Sequence, residues 1–351
     1  EVPPPAEMSS FLDAVRVGDA VTAPSELRTI GAQETIEATL RKLGKHKILS
    51  LPVVAKGAAS AHKYLGIISA ADILLHLLFN EQFVSALEEL ETEELSIKDF
   101  NHDVESLLQA PVKSIIGQRS ESKLVFLIRP EAPLSKVVGH FAQGVHRVLI
   151  GTNDKPKQHW LFTQSDAVRY LRRHLTHELV APTARLTLEE LGLAAGPKNM
   201  VSVSPKDSAA AAFQKLMSTR WTRKSNFDST GDEKCVWDLS ALPILDSKSH
   251  VIGTISQSDL RGIKTENLHE LLLPVFTFCE KRAGKKISVQ VTVTPETTLG
   301  EAICKVVDAR VHRAWIVDGG RLAGVLSLTD ILSRFSTVDF SYLSYYQRSR
   351  L

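Results

Sequence analysis

The sequence has no long hydrophobic run. Its longest apolar stretches, Leu74–Phe79 and Leu271–Phe276, are interrupted by His76 and Pro274 respectively. Both are far shorter than the roughly 18 residues that a membrane-spanning helix needs. The sequence therefore predicts that the protein is not an integral membrane protein.

Cysteine is also scarce. The three cysteines are Cys235, Cys279 and Cys304, and no two of them form a Cys-x-x-Cys pair. This spacing suits neither a disulfide framework nor a zinc site, so no metal ligands are predicted. The expected location is a reducing compartment, the cytoplasm or the nucleus.

Neither sign of charge is in excess, because 42 basic residues face 40 acidic ones and the net charge is +2. The sequence thus lacks the basic footprint of a dedicated nucleic-acid-binding protein, and no such partner is predicted. With 351 residues, 43% of them hydrophobic, the chain is expected to hold about two globular domains. Residues 1–16, which contain Pro3-Pro4-Pro5 and no signal-peptide pattern, are predicted to be a disordered lead.

What the sequence does contain is a repeat. An apolar, strand-like run is followed by Ser or Thr, two further residues, Asp, and an apolar helical run. The four copies of this Ser/Thr-x-x-Asp motif are Ser69–Asp72, Thr163–Asp166, Ser256–Asp259 and Ser327–Asp330. Each copy of the motif lies at the start of the last helix in a β-α-β-β-α pattern of short strands and helices. A unit of about 60 residues is only marginally stable alone, so two units are expected to pair across their sheets and share a core.

The repeats divide the chain into two paired modules. We predict an α/β (α+β) fold in which repeats 1 and 2 form one module and repeats 3 and 4 form the other. The predicted boundaries are 17–80 for repeat 1, 105–178 for repeat 2, 179–194 for an inter-module linker, 195–264 for repeat 3, 270–337 for repeat 4 and 338–351 for an aromatic tail.

The Ser/Thr-x-x-Asp motifs have two interpretations. A hydroxyl and an acid at a strand-to-helix junction can simply cap the helix by accepting hydrogen bonds from its first N–H groups. The same groups can instead bind the vicinal hydroxyls of a ribose. Because the acid recurs in every copy, we favour a site in which the acids bind ribose and the motif hydroxyls assist. The acids are Asp72, Asp166, Asp259 and Asp330, and the hydroxyls are Ser69, Thr163, Ser256 and Ser327.

A second pattern occurs in two of the repeats. His146-Arg147 and His312-Arg313 each begin the second strand of their repeat. An arginine there can pair with a surface carboxylate, and a single histidine is most often structural. However, a guanidinium group also binds phosphate in a bidentate manner, and a neighbouring imidazole adds a donor. We therefore predict phosphate contacts from these four residues.

These repeats resemble CBS (cystathionine β-synthase) domains. The array of four resembles the γ regulatory subunit of AMP-activated and sucrose-non-fermenting-type protein kinases, and it looks closest to the plant γ-like members. The resemblance extends from about residue 17 to residue 336. It is carried by Glu301–Asp318, Gly324–Leu332, Leu188–Leu191, Ser240–Asp246, Val112–Gly117, Gly144–Arg147, Thr163–Asp166 and Gly253–Gly262.

The resemblance implies two Bateman modules in a pseudo-symmetric disc, with an adenine nucleotide (AMP, ADP or ATP) bound between paired repeats. Carried over by position, the motif aspartates contact ribose and the His-Arg residues contact phosphates. Hydroxyl contacts are implied for Ser240, Ser327 and Thr329. The implied partners are the catalytic (α) and scaffold (β) subunits of a protein kinase.

The chain also departs from the animal γ pattern. Leu49 stands where those subunits have an arginine, and Ser165 stands where they have a lysine. Asp166 is present where they have an arginine. The first module therefore has less positive charge with which to bind phosphate, and the site of the second repeat has an additional acid. The pair of repeats with Asp259, Asp330, Ser240, His312 and Arg313 is the first candidate site.

No catalytic residue is predicted, because the sequence has neither a phosphate-binding glycine loop nor the kinase signature set. The favoured function is an energy-sensing regulatory subunit. One alternative is a stand-alone adapter that binds an adenosyl ligand such as S-adenosylmethionine and regulates another enzyme by contact. A further alternative is a scaffold whose aromatic tail, with Phe340 and Tyr342, docks a partner.

Overall fold

A computed structural model describes most of the chain. The described residues are 10–21, 26–55, 64–118, 120–123, 125–152, 158–194, 200–218, 220–223, 235–284 and 291–336. The aromatic tail predicted for residues 338–351 lies outside them. Within the described segments, no helix is both long enough and apolar enough to span a bilayer.

Repeats 1, 2 and 4 have the predicted β-α-β-β-α order. Each has a three-stranded sheet in which the first two strands are parallel and the last two antiparallel. Repeat 1 comprises β1 (Ile30–Gly31), α2 (Ile36–His46), β2 (Ser50–Val54), β3 (Tyr64–Ser69) and α3 (Ala70–Leu78). Repeat 2 comprises β4 (Leu127–Ile128), α7 (Leu134–Ala142), β5 (Arg147–Ile150), β6 (Trp160–Thr163) and α8 (Gln164–Arg173). Repeat 4 comprises β11 (Thr292–Val293), α12 (Leu299–Asp308), β12 (Arg313–Asp318), β13 (Arg321–Ser327) and α13 (Leu328–Ser333).

Repeat 3 is reduced. Its elements are α10 (Ala209–Ser218), an inserted hairpin of β7 (Arg220–Arg223) and β8 (Cys235–Asp238), then β9 (Ala241–Leu245) and β10 (Val251–Ser256). The first strand is a single bridge between Val203 and Ile244. The helix predicted from Asp259 onward is only a 3₁₀ turn, Gln257–Leu260. It ends because the backbone of Arg261 is extended and Gly262 has a positive φ, which glycine adopts without strain.

The remaining helices connect the repeats. They are α1 (residues 10–13), α4 (Glu81–Glu91), α5 (Ile97–Leu108), α6 (Ser120–Lys123), α9 (Ala181–Arg185) and α11 (Val275–Ala283). Further 3₁₀ turns lie at Val17–Asp19, Val112–Ser114 and Thr265–Leu272.

The segment that precedes each repeat is hydrogen-bonded to the other repeat of the same pair. The Val17 N–H donates to the Ala132 carbonyl at 2.9 Å, which ties the segment before repeat 1 to repeat 2. The Val112 N–H donates to the Glu34 carbonyl at 2.7 Å, which ties the segment before repeat 2 to repeat 1. Backbone bridges Thr187–Thr298 and Ser208–Pro274 make the same exchange between repeats 3 and 4. This exchange pairs repeat 1 with repeat 2 and repeat 3 with repeat 4.

The predicted disordered lead, residues 1–16, is wrong from residue 10 onward. Residues 10–13 are helical, and the side chains of Phe11 and Leu12 are buried. The Phe11 ring lies 4.4 Å from the His177 ring and 6.1 Å from the Tyr170 ring, centroid to centroid. Burial of these two apolar side chains fixes the segment, which composition alone did not indicate.

The hydrophobic cores cross the modules, which differs from the expected core between paired sheets. One cluster of buried residues joins repeats 1 and 3, for example Leu40 and Ile73 with Phe213 and Leu242, and it also includes residues of the connecting helices. The other joins repeats 2 and 4 with the N-terminal segment. Hydrogen bonds help to connect the paired sheets: Trp315 Nε1 donates to Thr254 Oγ1 at 2.7 Å between repeats 4 and 3.

Candidate functional site

All four Ser/Thr-x-x-Asp motifs form capping boxes. The hydroxyl residue is the N-cap, and the motif Asp accepts a hydrogen bond from its backbone N–H through Oδ2. These N···O distances are 2.8 Å for Asp72, 2.9 Å for Asp166, 2.7 Å for Asp259 and 2.9 Å for Asp330. Each motif hydroxyl also donates to the same Oδ2. Capping is therefore one role of the motif, and a ribose would have to bind through Oδ1.

The two His-Arg pairs occupy equivalent positions. Arg147 lies opposite Thr163 and Arg313 lies opposite Ser327 in the antiparallel strand pairs, so each arginine adjoins its own motif hydroxyl. The His312 carbonyl accepts from the Leu328 N–H at 3.2 Å, and the His146 carbonyl makes the same bond.

The odd-numbered repeats have different residues at the histidine position. The Leu49 carbonyl accepts from the Ala70 N–H at 2.9 Å, and the Ser240 carbonyl accepts from the Gln257 N–H at 3.1 Å. Leu49 and Ser240 are therefore the structural counterparts of the two histidines. Repeat 1 offers no imidazole here, whereas repeat 3 offers a hydroxyl.

Each arginine bonds to a serine of its paired repeat. Arg313 donates through an Nη atom to Ser240 Oγ at 2.7 Å, and Arg147 donates to Ser50 Oγ. The structure thus brings two predicted site residues, Arg313 and Ser240, into direct contact. Ser50 was not predicted, because the sequence offered no motif at that position.

The two His-Arg pairs converge near His312. Burial and the charges of Arg313, His146, Arg147 and Arg261 lower the pKa of His312 to about 4. The residue nevertheless lies at the surface of the molecule. Cationic groups from repeats 2, 3 and 4 meet there, and His312 is uncharged at neutral pH.

Carboxylates lie beside this cationic group. Burial lowers the pKa of Arg313 to about 10, and the nearby charges of Asp259 and Asp330 oppose that shift. Burial raises the pKa of Asp259, although hydrogen bonds from Ser256 oppose the change. Arg313 therefore keeps its positive charge at neutral pH. The first candidate pair of repeats thus combines two acids, a guanidinium and a hydroxyl.

Thr329, another predicted contact, lies where repeats 2 and 4 meet. The buried Gln164 amide donates to Thr329 Oγ1 at 2.8 Å and to the Phe141 carbonyl at 3.1 Å. Thr329 Oγ1 accepts in this bond, so its own proton can still be donated.

Arg261 is a charged residue that sequence reasoning missed. It directly follows the motif of repeat 3, and only its charge and its place after Leu260 could have indicated it.

Two other features of the described residues lie apart from this site. No group of three or more His, Cys, Asp or Glu side chains there is arranged to hold a metal ion. An open depression of about 610 Å³ is lined by residues of repeat 2 between Leu127 and Lys136, and it includes none of the predicted site residues.

The chain matches one family model and is similar to known proteins in sequence and in fold. The family model for the CBS domain matches residues 17–78, 197–265 and 287–337, which together make up just over half of the chain. The chain is 26% identical over 301 residues to the SNF1-related protein kinase regulatory subunit gamma-like PV42a of Arabidopsis thaliana, covering 77% of this chain and 74% of that protein. It is 23% identical to protein SDS23 of Yarrowia lipolytica, covering 90% of this chain and 65% of that protein.

The fold is similar to that of a solved protein from Methanocaldococcus jannaschii, a proposed archaeal homologue of g-AMPK. The TM-score is 0.61 at 18% identity, and the match covers 92% of this chain and all of that one.

Proposed function

Because the chain belongs to the CBS domain family, we propose that it binds adenine nucleotides and acts as a non-catalytic, energy-sensing subunit of a protein kinase complex of the SNF1-related or AMP-activated type. Its relation to γ-like regulatory subunits supports this proposal. The observation that carries it is the meeting of both His-Arg pairs beside the motif acids of repeats 3 and 4.

The chemistry of these residues suits a phosphorylated nucleoside. Asp259 and Asp330 supply carboxylate oxygens for ribose hydroxyls. Arg313 supplies a fork of N–H donors that matches phosphate geometry, and His146, Arg147 and Arg261 add positive charge. Affinity should therefore rise with the number of phosphates, and AMP, ADP and ATP compete for the same site.

Regulation follows from that competition. A nucleotide alters the kinase only if it binds the active and inactive complexes with different affinities. The proposed partners are a catalytic subunit and a scaffold subunit, and the proposed location is the cytoplasm or the nucleus. The shared cores transmit a change at one module to the other because buried residues of both modules pack together.

Isothermal titration of the whole chain with adenosine, AMP, ADP, ATP and S-adenosylmethionine at one ionic strength tests the ligand. Micromolar binding that strengthens from adenosine to ATP is expected. Preference for S-adenosylmethionine over every nucleotide would replace the proposal with the adapter function. No binding of any adenylate would overturn nucleotide sensing.

Size-exclusion chromatography with purified SNF1-related catalytic and scaffold subunits tests the partner. Co-elution as a three-subunit complex, with kinase activity that changes with the AMP:ATP ratio, is expected. Separate elution at micromolar concentrations would exclude the kinase role while leaving nucleotide binding intact.

A further inference from the structure

The four motif copies are alike in sequence but not in burial. Asp72 of repeat 1 is only 3% exposed. The other motif aspartates, Asp166, Asp259 and Asp330, are all partly exposed. A ribose can reach a carboxylate only where that carboxylate faces a cleft, so the first copy differs from the other three in the property that matters for binding.

Neighbouring positions show the same contrast. Ala71, immediately before Asp72, is 1% exposed, whereas its counterparts Ser165, Ser258 and Thr329 are partly exposed. Ile67, two residues before the N-cap, is 7% exposed, and its counterparts Leu161, Thr254 and Val325 are again partly exposed. Repeat 1 thus has buried alanine where the other repeats present a hydroxyl. The acid end of the first motif is therefore buried, while its N-cap Ser69 is partly exposed, as are Thr163, Ser256 and Ser327.

A segment from the inter-repeat connection packs against the core-facing side of β3, the side of Gly66 and Ile68, whereas Ile67 and Ser69 lie on the other side of the strand. Residues 116–118 and 120–123, here called the covering segment, lie against β3. A Cβ added to Gly66 would lie 2.2 Å from the Ser122 carbonyl oxygen and 2.6 Å from Ile116 Cγ2. Only glycine allows so close an approach. Ser122 is 2% exposed and accepts a hydrogen bond from the Gly117 N–H at 2.7 Å.

The first residue of β3 is bonded to repeat 2. The Tyr64 hydroxyl bonds to His159 Nδ1 at 2.8 Å, and His159 is 4% exposed. At the start of β2, Arg147 donates to Ser50, which is 7% exposed. The strands that flank the first motif are therefore fastened to the paired repeat and to the covering segment.

We infer that the first repeat is closed to nucleotide: repeat 2, through its contacts with Ser50 and Tyr64, closes the cleft, Asp72 serves as a buried helix cap, and nucleotides bind only at Asp166, Asp259 and Asp330. The part of this inference that concerns nucleotides rests on the proposed function. It assigns the chain at most three nucleotides, one fewer than its number of motifs.

Thiol labelling tests closure without any nucleotide. Ala71→Cys, Ser165→Cys and Ser258→Cys place a thiol at the same helix position in repeats 1, 2 and 3. Each variant of the whole chain is treated with N-ethylmaleimide, and the labelled peptide is identified by mass spectrometry, so the native cysteines need no replacement. The cysteine at position 71 should react at least tenfold more slowly than the other two. Equal rates would overturn the inference.

Equilibrium dialysis with ATP tests the number of sites. The unaltered chain should saturate at three nucleotides or fewer, and a variant with Asp166→Asn, Asp259→Asn and Asp330→Asn should bind none, with circular dichroism as the check on folding. A fourth nucleotide, or one retained by the triple variant and lost when Asp72→Asn is added, would place a nucleotide at Asp72 and overturn the inference. If the unaltered chain binds no nucleotide, the proposed function fails, and the labelling rates still decide whether the cleft is closed.

Discussion

Arg313 of repeat 4 donates a 2.7 Å hydrogen bond to the Ser240 hydroxyl of repeat 3, and Arg147 of repeat 2 bonds to Ser50 of repeat 1. An arginine–serine contact thus joins the paired repeats in each module, although Ser240 is the counterpart of Leu49 and not of Ser50. It holds each guanidinium at the boundary between paired repeats, and Arg313 lies beside Asp259 and Asp330. An arginine positioned in this way can turn to a phosphate with little loss of side-chain entropy, because its stem is already ordered.

Replacing Arg313 should weaken the affinity for phosphorylated ligands more than the affinity for adenosine. Arg313→Ala deletes a charge-assisted contact worth roughly 1.5–3 kcal/mol, which corresponds to about a 10- to 100-fold loss of affinity for ADP and ATP. Adenosine affinity should change little. Isothermal titration measures both, with Arg321→Ala, an exposed arginine of β13, as the matched control. Equal losses for adenosine and ATP would show that Arg313 is structural.

His312 should make stability depend on pH. Its pKa in the folded protein is about 4, below the ordinary value of 6.5, so the unfolded chain binds more protons between these values. The contribution of this group to the free energy of unfolding should therefore decrease as the pH falls from about 6.5 to 4. Urea unfolding at pH 7.5 and pH 5 measures the loss, and His312→Gln should make it smaller.

The same group should couple binding to protons. A phosphate beside His312 favours the protonated ring, so nucleotide binding should take up protons, and affinity should rise between pH 8 and pH 6. Titration in buffers of different ionisation enthalpy reports that uptake. Proton uptake that persists in His312→Gln would assign it to another group.

The bond between Gln164 and Thr329 should stabilise the contact between repeats 2 and 4. In a double-mutant cycle of Gln164→Leu and Thr329→Val, we expect a coupling of about 1 kcal/mol in the free energy of unfolding. Urea unfolding supplies the values. Ser165→Ala, next to Gln164, is the control and should change stability by less than about 0.5 kcal/mol. Additive effects of the two substitutions would show that the bond contributes nothing.

Phe11 should anchor the N-terminal segment. Phe11→Ala removes a buried ring that contacts His177 and should lower the free energy of unfolding by about 3 kcal/mol. The exposed Arg16→Ala is the control, with an expected change within about 0.5 kcal/mol. Unchanged stability in Phe11→Ala would mean that residues 10–13 do not pack in solution.

Much of the fold followed from local sequence. Ser327 and Asp330 predicted a helix start because an N-cap and its acid act within one turn, and Arg313 lies at the strand start that the apolar pattern predicted. The role of these residues in binding stays a prediction. The closeness of His146 to His312 was not predictable, because no local pattern links positions in different repeats.

Other features depend on distant partners. The fit of Ser122 against Gly66 involves residues far apart in sequence, and each looks ordinary in its own segment. The crossing of the cores was missed for a similar reason: an apolar helix face shows that it is buried but does not name the helix that covers it. The 3₁₀ turn after Asp259 was missed because the apolar pattern resembles that of the other repeats.

The crossed cores make the two modules inseparable. Cutting the chain between repeats 2 and 3 would leave each half with an exposed apolar surface where repeats 1 and 3, and repeats 2 and 4, now share buried residues. A half expressed alone should therefore aggregate. A protease that nicks the connection need not separate the halves, since each keeps the other folded. The molecule should therefore unfold in a single cooperative step, and neither half should fold once the other has been removed.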